Sequence, residues 1–82
     1  MTEIKEMIRH FILSTYLPGE SPDKLRDDTP LLTSGILDSL AAVNLVGFLE
    51  QSFDIELDVY DTSIEHFDRI DDIARCVARK QR

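Results

Sequence analysis

Residues 35–53 read GILDSLAAVNLVGFLEQSF, and this stretch decides the fold. From Asp38 to Phe53 one apolar face recurs at helical spacing and comprises Ala42, Leu45, Val46, Leu49 and Phe53. The other side is also apolar, since Asn44 is the only polar side chain between Ser39 and Glu50. A helix that is apolar all round is either buried or covered by a partner, and a chain of 82 residues cannot easily enclose one helix on every side. The uncovered part of this helix is therefore a candidate docking surface.

The residues that precede this helix predict one helix and one long loop. Residues 1–17 place apolar side chains at helical spacing, and Pro18-Gly19 ends that helix. Residues 18–37 form a connection of unusual length for so small a domain, and such connections are often functional. Its apolar side chains are expected to pin the loop to the core, and they are Leu25, Leu31, Leu32, Ile36 and Leu37.

The residues that follow predict a connector and a short helix. Residues 54–59 alternate polar and apolar side chains, but a single strand without a partner is not stable. We therefore interpret them as an extended connector with Ile55, Leu57 and Val59 turned inward. A short helix is expected to start at Thr62 or Ser63, and its Ile64 and Phe67 are expected to face the core.

The last helix is expected to start near Asp68 or Arg69. Its buried stripe is predicted to be Ile70, Ile73, Ala74 and Val77. The fold class is therefore predicted to be all-α. We expect a four-helix bundle, with three longer helices, one short helix and a long loop between the first and second, as a single domain over residues 1–82.

Composition excludes several classes of protein. Lys plus Arg number 9 and Asp plus Glu number 16, a net charge of −7, which argues against nucleic-acid binding and suggests partners with basic patches. Nine acids and one base, Arg69, lie between Glu50 and Asp72. The single Cys76 cannot form an internal disulfide and fits a reducing compartment. Because the chain has no long apolar run and its first residues are charged, we expect it in the cytoplasm, away from membranes. We also expect a monomer.

Ser39 is the candidate functional residue, because it lies where the long loop meets the apolar helix. A helix N-terminus offers free backbone N–H groups and a positive partial charge, which suit a phosphate, including a phosphodiester on serine. The alternative is that Ser39 or Asp38 only caps the helix. Both interpretations stay open from the Asp-Ser-Leu tripeptide alone.

Two other chemistries are disfavoured. A hydrolytic serine needs Gly-x-Ser-x-Gly after a strand, whereas positions 37 and 41 are Leu and Ala, and His10 and His66 are expected at the surface. An EF-hand counted from Asp54 would need glycine at its sixth place, which is Val59. We therefore expect no catalytic residue and no metal site, and we take Cys76 as part of the core.

The order of these segments, with Gly-x-x-Asp-Ser-Leu opening the apolar helix and Phe-Asp-Ile-Glu-Leu fourteen residues after the serine, resembles the acyl carrier and peptidyl carrier protein family over nearly the whole chain. In that family a phosphopantetheinyl transferase attaches 4′-phosphopantetheine from coenzyme A to the serine of this motif. The resemblance implies that Ser39 is the attachment site and that Asp38 helps the transferase to recognise it. It also implies a non-catalytic carrier that holds an acyl or aminoacyl thioester.

The candidates for the partner face are Leu40, Ala41, Asn44, Gly47 and Phe48. Carriers of fatty acid synthesis typically display acidic side chains on this helix, whereas here only Asp38 and Glu50 are charged. The chain therefore looks more like free-standing carriers of nonribosomal-peptide, polyketide-type or aminoacyl-carrier pathways, served by an adenylating ligase and by later acyltransferases, synthases or tailoring enzymes. The alternatives are a fatty-acid carrier and an unmodified acidic helical interaction module.

Overall fold

The computed structural model describes residues 2–81, and over these residues the chain is all-helical. The α-helices are α1 (Thr2–Tyr16), α2 (Ser39–Phe53), α3 (Ile64–Phe67) and α4 (Ile70–Lys80). One turn of 3-10 helix, Pro22–Lys24, interrupts the loop between α1 and α2. The predicted all-α class, with three longer helices and one short one, is confirmed.

The core lies where α1 and α4 pack together, with α2 against α1 and α3 against α4. The fully buried side chains of the helices include Ile8, Ile12, Leu45, Leu49, Phe67, Ile70, Ile73 and Val77. Removing one such side chain from water stabilises the fold by roughly 1.5–3 kcal/mol. The predicted stripe of α4 is thus confirmed, and the buried thiol of Cys76 extends it.

The loop between α1 and α2 is fastened by its leucines, as predicted. Leu25, Leu31 and Leu37 are buried, and Leu32 and Ile36 are half-buried. Because this loop contains little regular structure, these apolar contacts fix its path across the bundle and hence the place where α2 begins.

Two predictions for the segment between α2 and α4 are wrong. Val59 is 87% exposed rather than inward, because a turn begins at Asp58 and ends the extended stretch. In that turn the Asp58 N–H donates to Asp61 Oδ2 at 3.1 Å, and the Asp61 N–H donates to Asp58 Oδ1 at 2.9 Å. Ile64 is also exposed, since α3 is a single turn and only its Phe67 reaches the core.

A buried carboxylate holds this turn against α4, and sequence inspection did not anticipate it. Asp61 is buried and pairs with Lys80 Nζ at 3.0 Å and Arg79 Nη2 at 3.4 Å. Burial opposes ionisation of Asp61, but the bond from the Asp58 N–H and the ion pair with Lys80 outweigh it and lower its pKa. The segment that joins α2 to α3 is thereby tied to the end of α4.

Candidate functional site

Ser39 is the first residue of α2, and its side chain is exposed. Asp38 is the N-cap, with extended backbone angles φ −88° and ψ −175°, and its Oδ1 accepts a hydrogen bond from the Ala41 N–H at 2.8 Å. Asp38 therefore performs the capping that the sequence left open between Asp38 and Ser39. The Ser39 hydroxyl is left at the surface, beside the helical N–H groups that have no partner within the helix.

Residues 31–37, which we call the approach loop, deliver the chain to Asp38 and Ser39. The Leu37 N–H donates to the Leu31 carbonyl at 2.9 Å, so the loop closes on itself just before α2. Gly35 lies within it at φ +86°, in the left-handed region that favours glycine. The approach loop therefore has one defined path into the helix N-terminus.

Asp68, between α3 and α4, binds the first residues of the approach loop. Its Oδ1 accepts from the backbone N–H groups of Leu31, Leu32 and Thr33 at 3.1, 2.7 and 3.0 Å. Its Oδ2 accepts from the Thr33 hydroxyl at 2.8 Å, and its backbone carbonyl accepts from the Leu31 N–H at 2.6 Å. Sequence inspection placed Asp68 only at the start of the last helix and did not foresee this contact.

The protonation state of Asp68 follows from these bonds. Asp68 is 8% exposed, and burial by itself raises the pKa of a carboxyl group. The hydrogen bonds from Thr33, Leu32 and Leu31 outweigh burial and lower the pKa of Asp68 below its ordinary value of 3.8. Asp68 is therefore an anion at neutral pH, with both carboxylate oxygens satisfied by the approach loop.

A shallow cleft of about 230 Å³ lies next to the start of α2. Its lining includes Gly35 and Ile36 of the approach loop, Asp38, Leu40 and Tyr16 from the end of α1. An exposed hydroxyl, helical N–H groups and an open cleft together suit a phosphodiester followed by a flexible arm, because the anion meets N–H groups and the arm has room to leave the surface.

The predicted partner face needs one correction. Leu40 is 70% exposed, and Asn44 and Gly47 are exposed, but Ala41 is only 4% exposed. Ala41 lies one helical turn before Leu45 and so shares the core side of α2, which makes its assignment to the partner face wrong.

Phe48 lies at the boundary between the core side and the outer side of α2. It is half-buried, and its ring stacks on Phe11 of α1 with centroids 4.2 Å apart and an interplanar angle of 16°. Val43, which the sequence analysis did not assign to this face, is 65% exposed. Its spacing of three residues from Leu40 and four from Gly47 is the signal that could have placed it there.

A wider groove of about 740 Å³ runs along the outer side of α2, and its lining comprises Phe11, Val43, Asn44, Gly47, Phe48, Glu50, Gln51 and Asp54. A Cβ at Gly47 would meet no atom within 4 Å, so this glycine is not required by any contact among residues 2–81. The outer face of α2 is thus open and indented, apolar at Leu40 and Val43 and acidic toward Glu50 and Asp54.

The two histidines and the cysteine do not line the cleft at the start of α2. His10 is exposed, while His66 is half-buried with its ring 4.7 Å from that of Tyr60. Burial raises the pKa of the Cys76 thiol, which keeps it protonated at neutral pH. Within residues 2–81, no cluster of three or more His, Cys, Asp and Glu side chains is placed to hold a metal ion. No helix in the described part of the chain is long and apolar enough to cross a membrane.

Comparison with known proteins supplies the family. Residues 15–77, well over half of the chain, match the family model described as the phosphopantetheine attachment site. A search of curated proteins finds no match. The matched span contains the approach loop, Asp38, Ser39 and the outer face of α2. The chain therefore belongs to the family of carrier proteins that bear a covalently attached 4′-phosphopantetheine.

Proposed function

We propose that this chain is a carrier that bears the phosphopantetheine arm on Ser39. The arm ends in a thiol, which holds an acyl or aminoacyl group as a thioester, and partner enzymes carry out the chemistry. Tethering keeps the cargo at a high effective concentration near each partner's active site. This role requires no catalytic group of the carrier's own.

The observation that supports Ser39 most strongly is its exposed position at the start of α2, next to an N-cap supplied by Asp38. Since Asp38 already satisfies the Ala41 N–H, the Ser39 hydroxyl has no capping duty at that amide. An exposed hydroxyl at the end of a defined loop is accessible to an enzyme that must reach its oxygen.

The attachment reaction requires one nucleophilic step. The Ser39 oxygen forms a bond to the phosphorus that carries pantetheine in coenzyme A. The bond from that phosphorus to the other half of the diphosphate breaks, and adenosine 3′,5′-bisphosphate leaves. The hydroxyl proton passes to a base of the transferase, because the Asp38 carboxylate is already engaged in capping α2. In the product, the helical N–H groups at the start of α2 would stabilise the phosphodiester anion on Ser39.

The first part of α2, residues 40–48, carries no charged side chain and supports a carrier of the peptidyl or aminoacyl type. A docking face with few charges gains little electrostatic steering and depends on apolar contact. Leu40 and Val43 supply such contact here, and Gly47 leaves room for close approach. We therefore propose an adenylating ligase as the loading partner, in a nonribosomal-peptide, polyketide-type or aminoacyl-carrier pathway.

The experiment that tests the attachment site is transfer from coenzyme A by a promiscuous phosphopantetheinyl transferase, followed by intact-mass measurement. Wild type is expected to gain one arm, and Ser39→Ala is expected to gain none while keeping its helical circular dichroism. Ser52→Ala is the matched control, because Ser52 is an exposed serine of the same helix. A gain of mass by Ser39→Ala would move the site to another residue.

A second experiment separates the pathways. Carrier with its arm attached is offered an adenylating ligase with amino acids and ATP, and separately a malonyl transferase with malonyl-coenzyme A. Aminoacylation without malonylation supports the proposal, whereas efficient malonylation alone favours a fatty-acid carrier. An unmodified interaction module would show no mass change under any transferase and would bind its partner without a thiol.

A further inference from the structure

We propose that Asp68 is a positioning residue for the modification of Ser39, because it holds the approach loop in the arrangement that the transferase binds. This inference rests on the proposed function, since it concerns the enzyme that loads Ser39. It gives a role to a buried carboxylate that lies 29 residues further along the chain than Ser39.

Several hydrogen bonds converge on the single side chain of Asp68. Three consecutive backbone N–H groups and one hydroxyl donate to the two oxygens of Asp68. Hydrogen bonds to a charged group are stronger than those between neutral groups. The approach loop has little regular structure of its own, so without the Asp68 side chain the Leu32 and Thr33 N–H groups would lack protein partners, while Leu31 would keep its bond to the Asp68 carbonyl.

These hydrogen bonds hold Leu31, the end of the approach loop that also contacts Leu37. Leu31, whose N–H is held by Asp68, accepts the hydrogen bond from the Leu37 N–H. Leu37 directly precedes the N-cap Asp38, which is followed by Ser39. A displacement of Leu31 is therefore transmitted through one backbone hydrogen bond and two residues to the serine.

The approach loop also forms part of the surface around Ser39 that the transferase must contact. Ser34 and Gly35 of the approach loop are exposed, and Gly35, Ile36 and Asp38 line the cleft beside the start of α2. An enzyme that reaches the Ser39 oxygen must also contact this surface. If Asp68 is removed, the loop populates other arrangements, and the affinity for the enzyme falls by the fraction that remains competent.

The test measures transfer kinetics for wild type, Asp68→Ala, Asp68→Asn and Ile73→Val at a temperature where all four are folded by circular dichroism. Asp68→Ala is expected to raise KM roughly tenfold, with kcat within about twofold, because binding and not chemistry is impaired. Asp68→Asn is expected to lie nearer wild type, since an amide oxygen still accepts the N–H bonds. Ile73→Val weakens the core of α4 without removing any hydrogen bond to the approach loop and is expected to leave KM unchanged.

Amide hydrogen exchange supplies a second readout. In Asp68→Ala the amides of Leu32 and Thr33 are expected to exchange faster than in wild type, whereas amides in the middle of α4 keep their protection relative to global stability. If Asp68→Ala does not fold, Thr33→Val replaces it. That variant removes only the hydroxyl bond to Oδ2 and is expected to raise KM by a smaller factor.

Two outcomes overturn the inference. One is a folded Asp68→Ala whose KM equals that of wild type, and the other is an Ile73→Val whose KM rises as much as that of Asp68→Ala. Failure of the proposed function looks different, because wild type itself would then gain no arm on Ser39.

Discussion

The Asp38 carboxylate accepts a hydrogen bond from the Ala41 backbone N–H at 2.8 Å, so the cap of α2 lies one residue before the exposed Ser39. The two neighbouring polar residues therefore have separate duties. Asp38 stabilises the helix end, and Ser39 presents its hydroxyl. This division lets the structural role of the junction be tested apart from its reactive role.

The first prediction separates capping from recognition at Asp38. Asp38→Ala is expected to lower the free energy of unfolding by about 1 kcal/mol, because it removes the side-chain acceptor. Asp38→Asn keeps an acceptor of similar capping strength and is expected to change stability by only a few tenths of a kcal/mol. Urea unfolding measures both.

Transfer rates for the same two variants then report recognition. If the transferase reads the Asp38 charge, Asp38→Asn loses transfer rate although its stability is near that of wild type. An Asp38→Asn that is modified as fast as wild type would leave Asp38 with the capping role alone.

The second prediction concerns two glycines in different backbone conformations. Gly47→Ala is expected to stabilise the fold by roughly 0.5–1 kcal/mol, because a helical glycine is replaced where a Cβ has open space. Gly35→Ala is expected to destabilise it by roughly 1 kcal/mol, since φ +86° is unfavourable for a residue with a Cβ. Thermal unfolding compares the two, and a Gly47→Ala with a lowered Tm would contradict the open surface at that position.

The third prediction distinguishes packing from docking on α2. Phe48→Ala is expected to lower the free energy of unfolding by roughly 2 kcal/mol, because it removes the stack on Phe11. Val43→Ala changes an exposed side chain and is expected to alter stability by less than about 0.5 kcal/mol. Both are measured by urea unfolding.

Loading by the ligase should rank these variants differently. Val43→Ala is expected to lose ligase affinity without losing stability, as a docking residue should. A Val43→Ala that is loaded like wild type would remove this position from the partner face.

The fourth prediction is a pH dependence that originates at Asp68. Because the pKa of Asp68 is lower in the folded chain than its ordinary 3.8, the unfolded chain binds the proton more tightly. The stability contributed by its ionisation is therefore complete above that value and is lost as the pH falls through it toward the lower folded-state pKa.

Urea unfolding from pH 7 down to pH 3 measures this contribution. Wild type should be more stable than Asp68→Asn at pH 7, and the difference should shrink as the pH falls below about 4. A difference that stays constant over this range would contradict an ionised Asp68.

Periodicity was sufficient to predict the helices and most of the core, since each of α1 and α4 has one clear apolar stripe. The bounds expected for α2, Asp38 to Phe53, differ from the observed Ser39–Phe53 by the cap alone. The orientation of α2 was less predictable, because nearly every side of it is apolar and the pattern favours no single face. That is why Ala41 was placed outward although it is buried.

The contacts that position the site could not be predicted from the sequence. Asp68 bonds to residues 35 to 37 positions earlier in the chain, and no local pattern predicts so distant a pair. Asp61 is similar, since it lies in the turn before α3 and its partners Arg79 and Lys80 lie on α4. Charged residues in an acidic segment look like a solvated surface until the fold buries two of them.

The most direct test of the central claim is an intact-mass measurement of the chain purified from its own host, followed by fragmentation to locate any added group. We expect a phosphopantetheine arm, with or without cargo, on the peptide that contains Ser39. A chain that is wholly unmodified in its host, or an arm located on any other residue, would contradict the proposal.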